Sequence, residues 1–355
     1  MRKERIITYQ ESRILKDSIY IDVRTSAEYQ EATIPGAVNI ELLDNTERKI
    51  IGTIYKQESP KAARLKGVEI VSPKLPKLIK AINELSQKKK NIILFCARGG
   101  LRSKSLAEFA QLAGIEVYLL QNGYKDYRHF IMNKLANYQF EGELAVLHGN
   151  TGVGKTYILK EMEKLGANII DLEAIANHRG SVFGSIGLSL PYNQKYFESL
   201  LWEELNAKDR GEGIIFIEAE SKRIGNSVLP KFFVEKMRSS IDILITASQE
   251  KRVKNIYQEY INDITTNQKE FQQQIIESLT SIKKYLIKLA GKNYYNELLV
   301  QAEHGNFYNI ITMLFENYYD PMYNNSQKKI ANYQLEINAD NISQAAVKIV
   351  NYFLS

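Results

Sequence analysis

Cysteine is nearly absent from this sequence: the chain has 355 residues and a single cysteine, Cys96. One thiol cannot form a disulfide within the chain, and it cannot build a zinc site that needs two or more thiolates. We therefore expect a reducing compartment, the cytoplasm. Long apolar runs are absent too: no stretch approaches the ~18 residues of a membrane span, and the charged first residues lack the apolar core of a signal peptide. We expect no membrane segment.

The composition is that of a folded protein. Hydrophobic residues make up 44% and charged residues 25% of the chain, so a sizeable core can form. The length suits two or three domains. The net charge of +6 is a mild basic excess, which fits a polyanionic partner but is shared by many proteins that have none.

The first part of the chain alternates short apolar runs with helical patterns, which predicts a mostly parallel α/β sheet. The spacing of apolar residues predicts strands over 19–23, 37–40, 91–95 and 117–120, and helices over 26–31, 74–85 and 102–112. Residues 44–73 are polar and basic with weak periodicity, and we interpret them as an insertion.

A second α/β unit begins near residue 143. The pattern predicts strands over 143–147, 168–172, 213–217 and 241–246, and a helix over 155–165. Beyond residue 248 it turns helical, with predicted helices over 250–261, 268–289, 293–301 and 307–318. We expect domains over 1–135 and 136–250, and a mainly helical region over 251–355 associated with the second domain.

Cys96 lies between a predicted strand and a predicted helix, in the sequence Cys-Ala-Arg-Gly-Gly-Leu-Arg-Ser. Backbone N–H groups of a curled loop, the helix N-terminus and the side chains of Arg98 and Arg102 would lower the thiol pKa and hold an oxyanion beside the sulfur. Free cysteines are commonly buried structural residues, but the two arginines and the glycine pair argue against that role here. The Cys-x5-Arg spacing by itself fits either attack on a phosphate ester or chalcogen transfer.

A complete phosphate-loop motif, G-x-x-x-x-G-K-[ST], spans residues 149–156, after a predicted strand and at the start of a helix. Backbone N–H groups around Gly149, Gly152 and Gly154 would hold a di- or triphosphate. Lys155 would pair with the distal phosphates, and Thr156 could hold Mg²⁺.

Acidic residues follow the neighbouring strands of this unit. Asp171 and Glu173 come after one strand, and Glu218 and Glu220 end the strand that occupies the place of a Walker B strand. Any of them could position Mg²⁺ or substrate, and exposed strand-end carboxylates are the alternative; no metal-ligand set is certain. Arg252 could reach a phosphate, and a solvated side chain is the alternative. The sequence offers no clear base for nucleotide hydrolysis, so the loop could bind a diphosphate without being a motor or an ordinary kinase.

Several motifs in the first unit occur in the order found in rhodanese homology domains. They are Tyr-Ile-Asp-Val-Arg-Thr-Ser-Ala-Glu-Tyr at 20–29, Ile-Pro-Gly-Ala-Val-Asn-Ile at 34–40 and Gly-Tyr at 123–124. Residues 6–132 resemble that domain, which implies chalcogen transfer rather than phosphatase chemistry. Thr33 departs from the family, which often carries His there. We expect Asp22 and Arg24 to form a structural pair that braces the cysteine loop. The fold class is therefore α/β, a rhodanese-like parallel-sheet domain followed by a P-loop NTPase-like domain.

Stretches at 96–103, 172–181 and 217–225, together with Gly-Thr-Ile-Tyr-Lys-Gln at 52–57, resemble the bacterial tRNA 2-selenouridine synthases over residues 6–320. The resemblance makes His178, Arg179 and Arg223 candidate contacts to RNA or substrate. It implies a tRNA partner, recognised at the anticodon loop, and a protein that supplies selenophosphate.

The resemblance also implies a reaction. Members of that family replace sulfur by selenium at C2 of a wobble 2-thiouridine, with selenophosphate as donor and an S-geranyl intermediate made from geranyl diphosphate. The P-loop would hold the prenyl diphosphate or a nucleotide. Cys96 would carry selenium or expel the geranylthiol, and Arg98 and Arg102 would orient selenophosphate. The sequence leaves open the Mg²⁺ requirement, the oligomeric state and the tRNAs used.

Two other functions remain open at this point. One is a rhodanese-type sulfurtransferase with a nucleotide-binding regulatory domain and no RNA substrate. The other is a non-catalytic tRNA- or protein-binding module, against which the intact Cys96 loop and the intact Lys155-Thr156 pair both argue.

Overall fold

The computed structural model describes residues 5–188, 190–211, 213–262, 268–327, 330 and 332–354. The chain forms two compact units. The first contains residues up to 137 together with 195–202, and the second contains residues 138–194 and 203–355. Within the described ranges, no helix is both long enough and apolar enough to cross a membrane.

The first unit is built on a five-stranded parallel sheet, which confirms the predicted α/β class. The strand order is β1-β5-β4-β2-β3, and every pairing is parallel. The strands are β1 (Ile6–Ile7), β2 (Ser18–Asp22), β3 (Val38–Asn39), β4 (Asn91–Phe95) and β5 (Val117–Leu120). The helices are α1 (Tyr9–Ser12), α2 (Ser26–Glu31), α3 (Asn45–Gln57), α4 (Pro60–Val71), α5 (Leu75–Ser86), α6 (Leu101–Leu112) and α7 (Gly123–Ala136). Because β4 is the central strand, the cysteine that follows it lies in the middle of the carboxyl edge of the sheet.

The segment 44–73, interpreted as an insertion without assigned elements, forms the two helices α3 and α4. Each begins at a clear cap: Asp44 and Glu47 form a capping box, and Ser59 caps α4 with Pro60 in its first turn. The apolar faces are narrow, since α3 has no buried residue and α4 buries only Ala63 and Val71. This accounts for the weak periodicity of the sequence.

The second unit contains a second five-stranded parallel sheet, of order β12-β11-β6-β8-β7, and a small antiparallel pair, β9 and β10. The strands are β6 (Glu143–His148), β7 (Asn168–Ile170), β8 (Ile214–Glu218), β9 (Arg223–Ile224), β10 (Ser227–Val228), β11 (Ile241–Thr246) and β12 (Leu335–Asn338). The strand that precedes the phosphate loop, β6, is again central. Continuous apolar runs in β6 and β8 fit their burial on both faces of a parallel sheet.

Helices make up the rest of the second unit, and one of them contributes residues 195–202 to the first unit. They are α8 (Lys155–Lys164), α9 (Leu172–Ala176), α10 (Gln194–Lys208), α11 (Lys231–Arg238), α12 (Gln249–Tyr257), α13 (Gln268–Ser281), α14 (Lys283–Glu303), α15 (Phe307–Leu314), α16 (Asp320–Gln327) and α17 (Ile342–Leu354). Two five-residue π-helical segments follow α12 and α15, at Gln258–Asn262 and Phe315–Tyr319. The predicted helix over 268–289 is broken at Ile282, and α14 is kinked at Gly291, where φ is +86°.

The chain returns to the second sheet after its helical region, which the sequence analysis did not predict. Strand β12 pairs in parallel with β11, and α17 packs on the core shared with α8 through Ala345, Ala346 and Ile349. All three side chains are fully buried. The end of the described chain therefore adds one strand to the sheet that carries the phosphate loop and one helix to its core.

Replacing Ile349 by alanine is expected to destabilise the second unit by about 2–4 kcal/mol, because it leaves a cavity in a closed core. Val347 lies on the same helix and is 42% exposed, so Val347→Ala should change stability by less than about 0.5 kcal/mol. Calorimetric melting, with hydrogen exchange of α8 and α17 to identify the unit that unfolds, measures both. Equal effects of the two substitutions would contradict the packing of α17 on this core.

Candidate functional site

Cys96 is buried at the end of β4, and its sulfur accepts two hydrogen bonds. The backbone N–H of Gly100 and the hydroxyl of Ser103 each donate to Sγ over 3.2 Å. Its side chain packs in the core of the first unit and is only 3% exposed. An anion centred on sulfur or selenium at this position would therefore find two donors already directed at it.

The cysteine loop is held from behind by the start of α7. The N–H groups of Tyr124 and Lys125 donate to the carbonyl oxygens of Cys96 and Ala97, over 2.8 and 3.0 Å. Gly123 has φ +58°, and a Cβ at this position would overlap the carbonyl oxygen of Cys96. The Gly-Tyr motif therefore has a local cause: only glycine lets α7 approach the loop this closely.

Asp22 and Arg24 form a buried ion pair, with Nη2 of Arg24 2.6 Å from the Asp22 carboxylate. Thr33 donates its hydroxyl hydrogen to the same carboxylate over 2.9 Å. The guanidinium carbon of Arg24 lies 4.1 Å from the ring centroid of Tyr124, whose N–H holds the Cys96 carbonyl. The expected brace thus reaches the loop through Tyr124, and Thr33 supports it by hydrogen bonding.

The two arginines of the cysteine loop differ in their surroundings. Arg102 makes a bidentate pair with Glu28, at 2.6 and 3.2 Å, whereas Arg98 is exposed and forms no ion pair with any residue that the structure describes. Burial acts to raise the pKa of Glu28, but the hydrogen bond and the charge of Arg102 outweigh it and hold that pKa below its usual range. Arg98 is therefore the cation available to a ligand, while Arg102 is already paired.

The phosphate loop joins β6 to α8 and contains Gly149, Gly152 and Gly154, each with positive φ. Lys155 lies in the first turn of α8, and its Nζ donates to the carbonyl of Gly149 over 3.1 Å. The neighbouring Thr156 hydroxyl donates to Glu173 over 3.3 Å.

Arg252 braces the phosphate loop, so it is neither a free phosphate ligand nor a solvated side chain, and both interpretations of the sequence are wrong. It is 6% exposed, donates from Nε to the carbonyl of Thr151 over 2.9 Å, and pairs through both Nη atoms with Asp320, at 2.9 and 2.6 Å. Asn255, one turn later on α12, donates to the carbonyl of Gly152 over 2.8 Å. The loop conformation is thus held by side chains from the helical part of the chain.

Three of the predicted acids meet beside Thr156. Glu218 is 1% exposed; its Oε1 accepts from the N–H of Glu173 over 2.9 Å, and its Oε2 has no hydrogen-bond partner in the described part of the chain. Burial, helped by the charge of nearby carboxylates, raises the pKa of Glu218 to about 8 and also raises that of Glu173. Burial likewise raises the pKa of Glu220. Crowded, desolvated carboxyls of this kind favour either a proton or a cation.

Asp171 has a local structural function as well. Its carboxylate accepts the N–H of Ala174 over 2.8 Å and caps α9. Because this helix starts at Leu172, β7 ends at Ile170, two residues earlier than predicted. Burial raises its pKa.

His178 and Arg179 lie close to the phosphate loop. Arg179 pairs with Glu259 at 3.0 Å and lies over the ring of Tyr260. Burial and the charge of Arg179 lower the pKa of His178, whose Nδ1 accepts the N–H of Gly180 over 3.1 Å. The imidazole is therefore neutral at pH 7 and carries its proton on Nε2.

Arg223 lies at the edge of the site: its strand β9 contacts α9, and Gly225, two residues later, packs against the ring of His178. Arg223 itself is exposed on β9 and does not line either of the cavities around the phosphate loop.

Two adjoining cavities surround the phosphate loop. The phosphate cleft, of about 630 Å³, is lined by Gly154, Lys155, Thr156, Glu173 and Glu220, among others. The polar cavity, of about 750 Å³, is lined by residues that include Lys160, Asp171, Asn177 and His178. Thr156, Glu173, Arg179 and Glu259 line both. Sequence reasoning missed Glu259, Tyr260 and Asn255, because they belong to helical segments that carry no recognisable motif.

The Arg102–Glu28 pair should make the stability of the first unit sensitive to acid. The pKa of Glu28 is lower in the folded protein than in the unfolded chain, where it is near 4.5. The ion pair therefore stabilises the fold fully above that unfolded pKa, and this stabilisation is lost as pH falls through the folded pKa. Glu28→Gln should cost about 1 kcal/mol at pH 7, and the difference from the unsubstituted protein should vanish in acid. Trp202, the only tryptophan, belongs to the first unit, so its fluorescence during urea unfolding reports this stability.

Glu58 supplies the matched control, because it is exposed and forms no ion pair within the described part of the chain. Glu58→Gln should leave the urea midpoint unchanged at both pH values. A stability difference for Glu28→Gln that persists unchanged into acid would contradict the ion pair.

Comparison with known proteins identifies both units. Residues 142–351 match the family model of the tRNA 2-selenouridine synthase AAA domain, and residues 8–129 match the rhodanese-like domain. A tRNA 2-selenouridine synthase of Sulfurovum sp. is 30% identical over 346 residues, covering 93% of this chain and 92% of that protein. One of Pseudomonas fluorescens is 30% identical, covering 87% and 88%, and one of Nitrosomonas eutropha is 36% identical, covering 69% and 63%.

Proposed function

The chain belongs to the tRNA 2-selenouridine synthase family, and from this premise we propose that it replaces the C2 sulfur of a wobble 2-thiouridine by selenium from selenophosphate. It is a transferase that acts on tRNA. We propose further that the reaction passes through an S-geranyl-2-thiouridine made from geranyl diphosphate. The observation that carries the proposal is the presence in one chain of a cysteine with two donors on its sulfur and an intact phosphate loop.

The first step is alkylation of the thiocarbonyl sulfur. A bond forms between that sulfur and C1 of the geranyl chain, the C1–O bond breaks, and diphosphate leaves with the electron pair while the N3 proton passes to a base. Lys155 and the N–H groups of the phosphate loop would take the charge that develops on the leaving diphosphate. Alkylation turns a poor leaving group into a thioether that can depart as a thiol.

The second step replaces the thioether by selenium. Selenium of selenophosphate bonds to C2, the C2–S bond breaks, and geranylthiol departs with a proton. Water then cleaves the Se–P bond, which releases phosphate and restores the N3 proton. Arg98 would bind the phosphate group of the donor, and the N–H of Gly100 and the hydroxyl of Ser103 would stabilise the anionic chalcogen at Cys96.

The chain holds one thiol, so no second cysteine in it can resolve a selenium adduct on Cys96. Selenium in selenophosphate is already at the selenide level, so it bonds to C2 without a change of oxidation state, and a perselenide on Cys96 would require an external two-electron oxidant. We propose that a separate selenophosphate-supplying protein delivers the donor.

The phosphate cleft fits a Mg²⁺ ion that binds together with the diphosphate. In the described ranges no group of three or more histidine, cysteine or acidic side chains is arranged to hold a metal ion. Mg²⁺ commonly binds through one or two protein oxygens plus substrate phosphates and waters, and Thr156 and Glu173 provide such oxygens 3.3 Å apart. When bound, the ion would supply charge neutralisation for the departing diphosphate, with Glu218 and Glu220 around it.

The polar cavity is the proposed place for the anticodon nucleoside. His178 presents an Nε2–H donor, and Asn177 and Lys160 add polar groups to the same wall. Sequence-specific RNA recognition relies on unstacked loop bases and their edges. Arg223, exposed on the β9–β10 hairpin, would contact the RNA backbone rather than the base.

Two variants should separate the two steps. With 2-thiouridine tRNA, geranyl diphosphate and selenophosphate, Cys96→Ala should accumulate the geranylated nucleoside and form no selenated one. Lys155→Ala should reduce geranylation by about 100-fold or more, while tRNA that already carries S-geranyl-2-thiouridine should restore its selenation. Nucleoside mass spectrometry measures both products.

Glu108→Ala on α6 and Lys164→Ala on α8 are the matched controls, since both side chains are exposed and neither lines a candidate site. Absence of both modified nucleosides with the unsubstituted protein would overturn the proposal. Transfer of sulfur to a small thiophilic acceptor without RNA would then favour the rhodanese-type alternative.

Arg98→Ala should raise the KM for selenophosphate about tenfold, since it removes the unpaired cation of the loop. Arg102→Ala should impair selenation as well, but its effect must be compared with that of Glu28→Gln. If both arginines bind the donor, Arg102→Ala will exceed Glu28→Gln in its effect on KM. Equal effects of Arg102→Ala and Glu28→Gln would reduce Arg102 to a positioning residue, and unchanged selenation in Arg102→Ala would exclude it from the site.

A further inference from the structure

An apolar pocket of about 560 Å³ adjoins the phosphate cleft within the second unit. Four residues, Thr151, Ser181, Ile256 and Tyr260, line both the pocket and the cleft. A ligand that bound its phosphates on the loop could therefore extend an attached group into the pocket.

The wall of the pocket consists almost entirely of hydrocarbon. Its side away from the loop is formed by α13 and α15, with Phe271 and Phe307 in an edge-to-face pair whose ring centroids are 5.0 Å apart. At the junction the hydroxyls of Ser181 and Tyr260 are bonded to each other over 3.3 Å. The described wall thus offers few free polar groups to a purine or pyrimidine, which needs hydrogen bonds to be held with specificity.

We propose that this pocket binds the hydrocarbon chain of an allylic prenyl diphosphate whose diphosphate lies on the phosphate loop. This inference rests on the proposed function, in which a prenyl donor alkylates the tRNA, and it assigns the donor's chain to named residues. The helices that follow the sheet, which carry no sequence motif, then form the hydrocarbon-binding part of the enzyme.

The charge of the phosphate cleft agrees with a diphosphate ligand. Lys155 is its central cation, because Arg179 is already paired with Glu259 at 3.0 Å. Glu173 and Glu220 line the same cleft. Because Lys155 is the one unpaired cation among the described residues that line this cleft, the cleft suits the smaller charge of a diphosphate better than that of a nucleoside triphosphate.

Burial of the chain also serves the chemistry. Alkylation forms the S–C1 bond and breaks the C1–O bond of an allylic carbon that water could attack instead. A pocket that holds the chain in hydrocarbon keeps water from C1 until the sulfur arrives. Phe271 and Phe307 line the side of the pocket away from the loop, so their rings are expected to limit the length of the chain that fits and to select ten carbons over fifteen.

A second apolar cavity is the competing location. It is a groove of about 960 Å³ in the first unit, between α3, α4 and α6, lined in part by Ala63, Val68 and Phe109. It contains no phosphate-loop residue, and of the two arginines that line it, Arg64 is exposed and Arg102 is already paired with Glu28. Val68 is 64% exposed, which allows Val68→Trp to narrow this groove without disturbing a core.

Direct binding to the full-length protein tests the proposal, with geranyl diphosphate and inorganic diphosphate as titrants in calorimetry. Geranyl diphosphate should bind about 100-fold more tightly than inorganic diphosphate, from burial of its chain. Ile311, a half-buried residue of α15, lines the pocket. Ile311→Trp should lose at least about tenfold in geranyl diphosphate affinity and keep inorganic diphosphate within about twofold.

Controls and an opposite variant complete the test. Tyr308→Trp, exposed on the same helix, and Val68→Trp should leave both affinities unchanged. Phe307→Leu, which removes a ring from the wall, should improve the binding of the fifteen-carbon farnesyl diphosphate relative to the ten-carbon ligand. Phe307→Leu still tests the proposal if Ile311→Trp fails to fold.

Three results would overturn the pocket assignment. They are unchanged geranyl diphosphate affinity in Ile311→Trp, lost affinity in Val68→Trp, and ATP binding that displaces geranyl diphosphate and is stronger than it. Failure of the proposed function looks different: the unsubstituted protein would bind geranyl diphosphate in the pocket and yet modify no tRNA.

Discussion

The parallel direction of the strands is the constraint on which both candidate sites depend. In each unit the central strand ends at the carboxyl edge of its sheet, and the next helix starts within a few residues, at Leu101 after β4 and at Lys155 after β6. A loop confined between these two ends turns its N–H groups inward, and the helix N-terminus adds positive potential. One geometry thus provides an anion site for a chalcogen in one unit and for phosphates in the other.

Most positive charge near the two sites is already compensated. Arg24, Arg102, Arg179 and Arg252 each pair with a carboxylate. Their guanidinium groups hold loops and helices in place, which leaves Arg98 and Lys155 as the principal cations for ligands. The net charge of +6 therefore says little about the local field at either site, because pairing and burial decide which charges a ligand meets.

The sequence predicted the features that short motifs encode. The strands beside Cys96 and the phosphate loop, and the loops themselves, have local signals: buried apolar runs, positive-φ glycines and a helix start. It did not predict α3 and α4, whose apolar faces are narrow, or the pairing of β12 with β11, which joins residues about ninety positions apart. The ion pair between Arg252 and Asp320 could not be predicted either, because partners far apart in the sequence leave no periodic pattern.

The pairing of β11 with β12 has a consequence for how such a protein can diverge. The helices that wall the apolar pocket leave the sheet after β11 and return to it at β12, two neighbouring strands about 4.8 Å apart. Both ends of this helical region thus join neighbouring strands of the sheet. The region can therefore be lengthened or shortened while the strands keep their register. The helices that line the apolar pocket can therefore vary between related proteins and change the hydrophobic ligand, provided that Arg252, Asn255 and Asp320, which hold the phosphate loop, are kept.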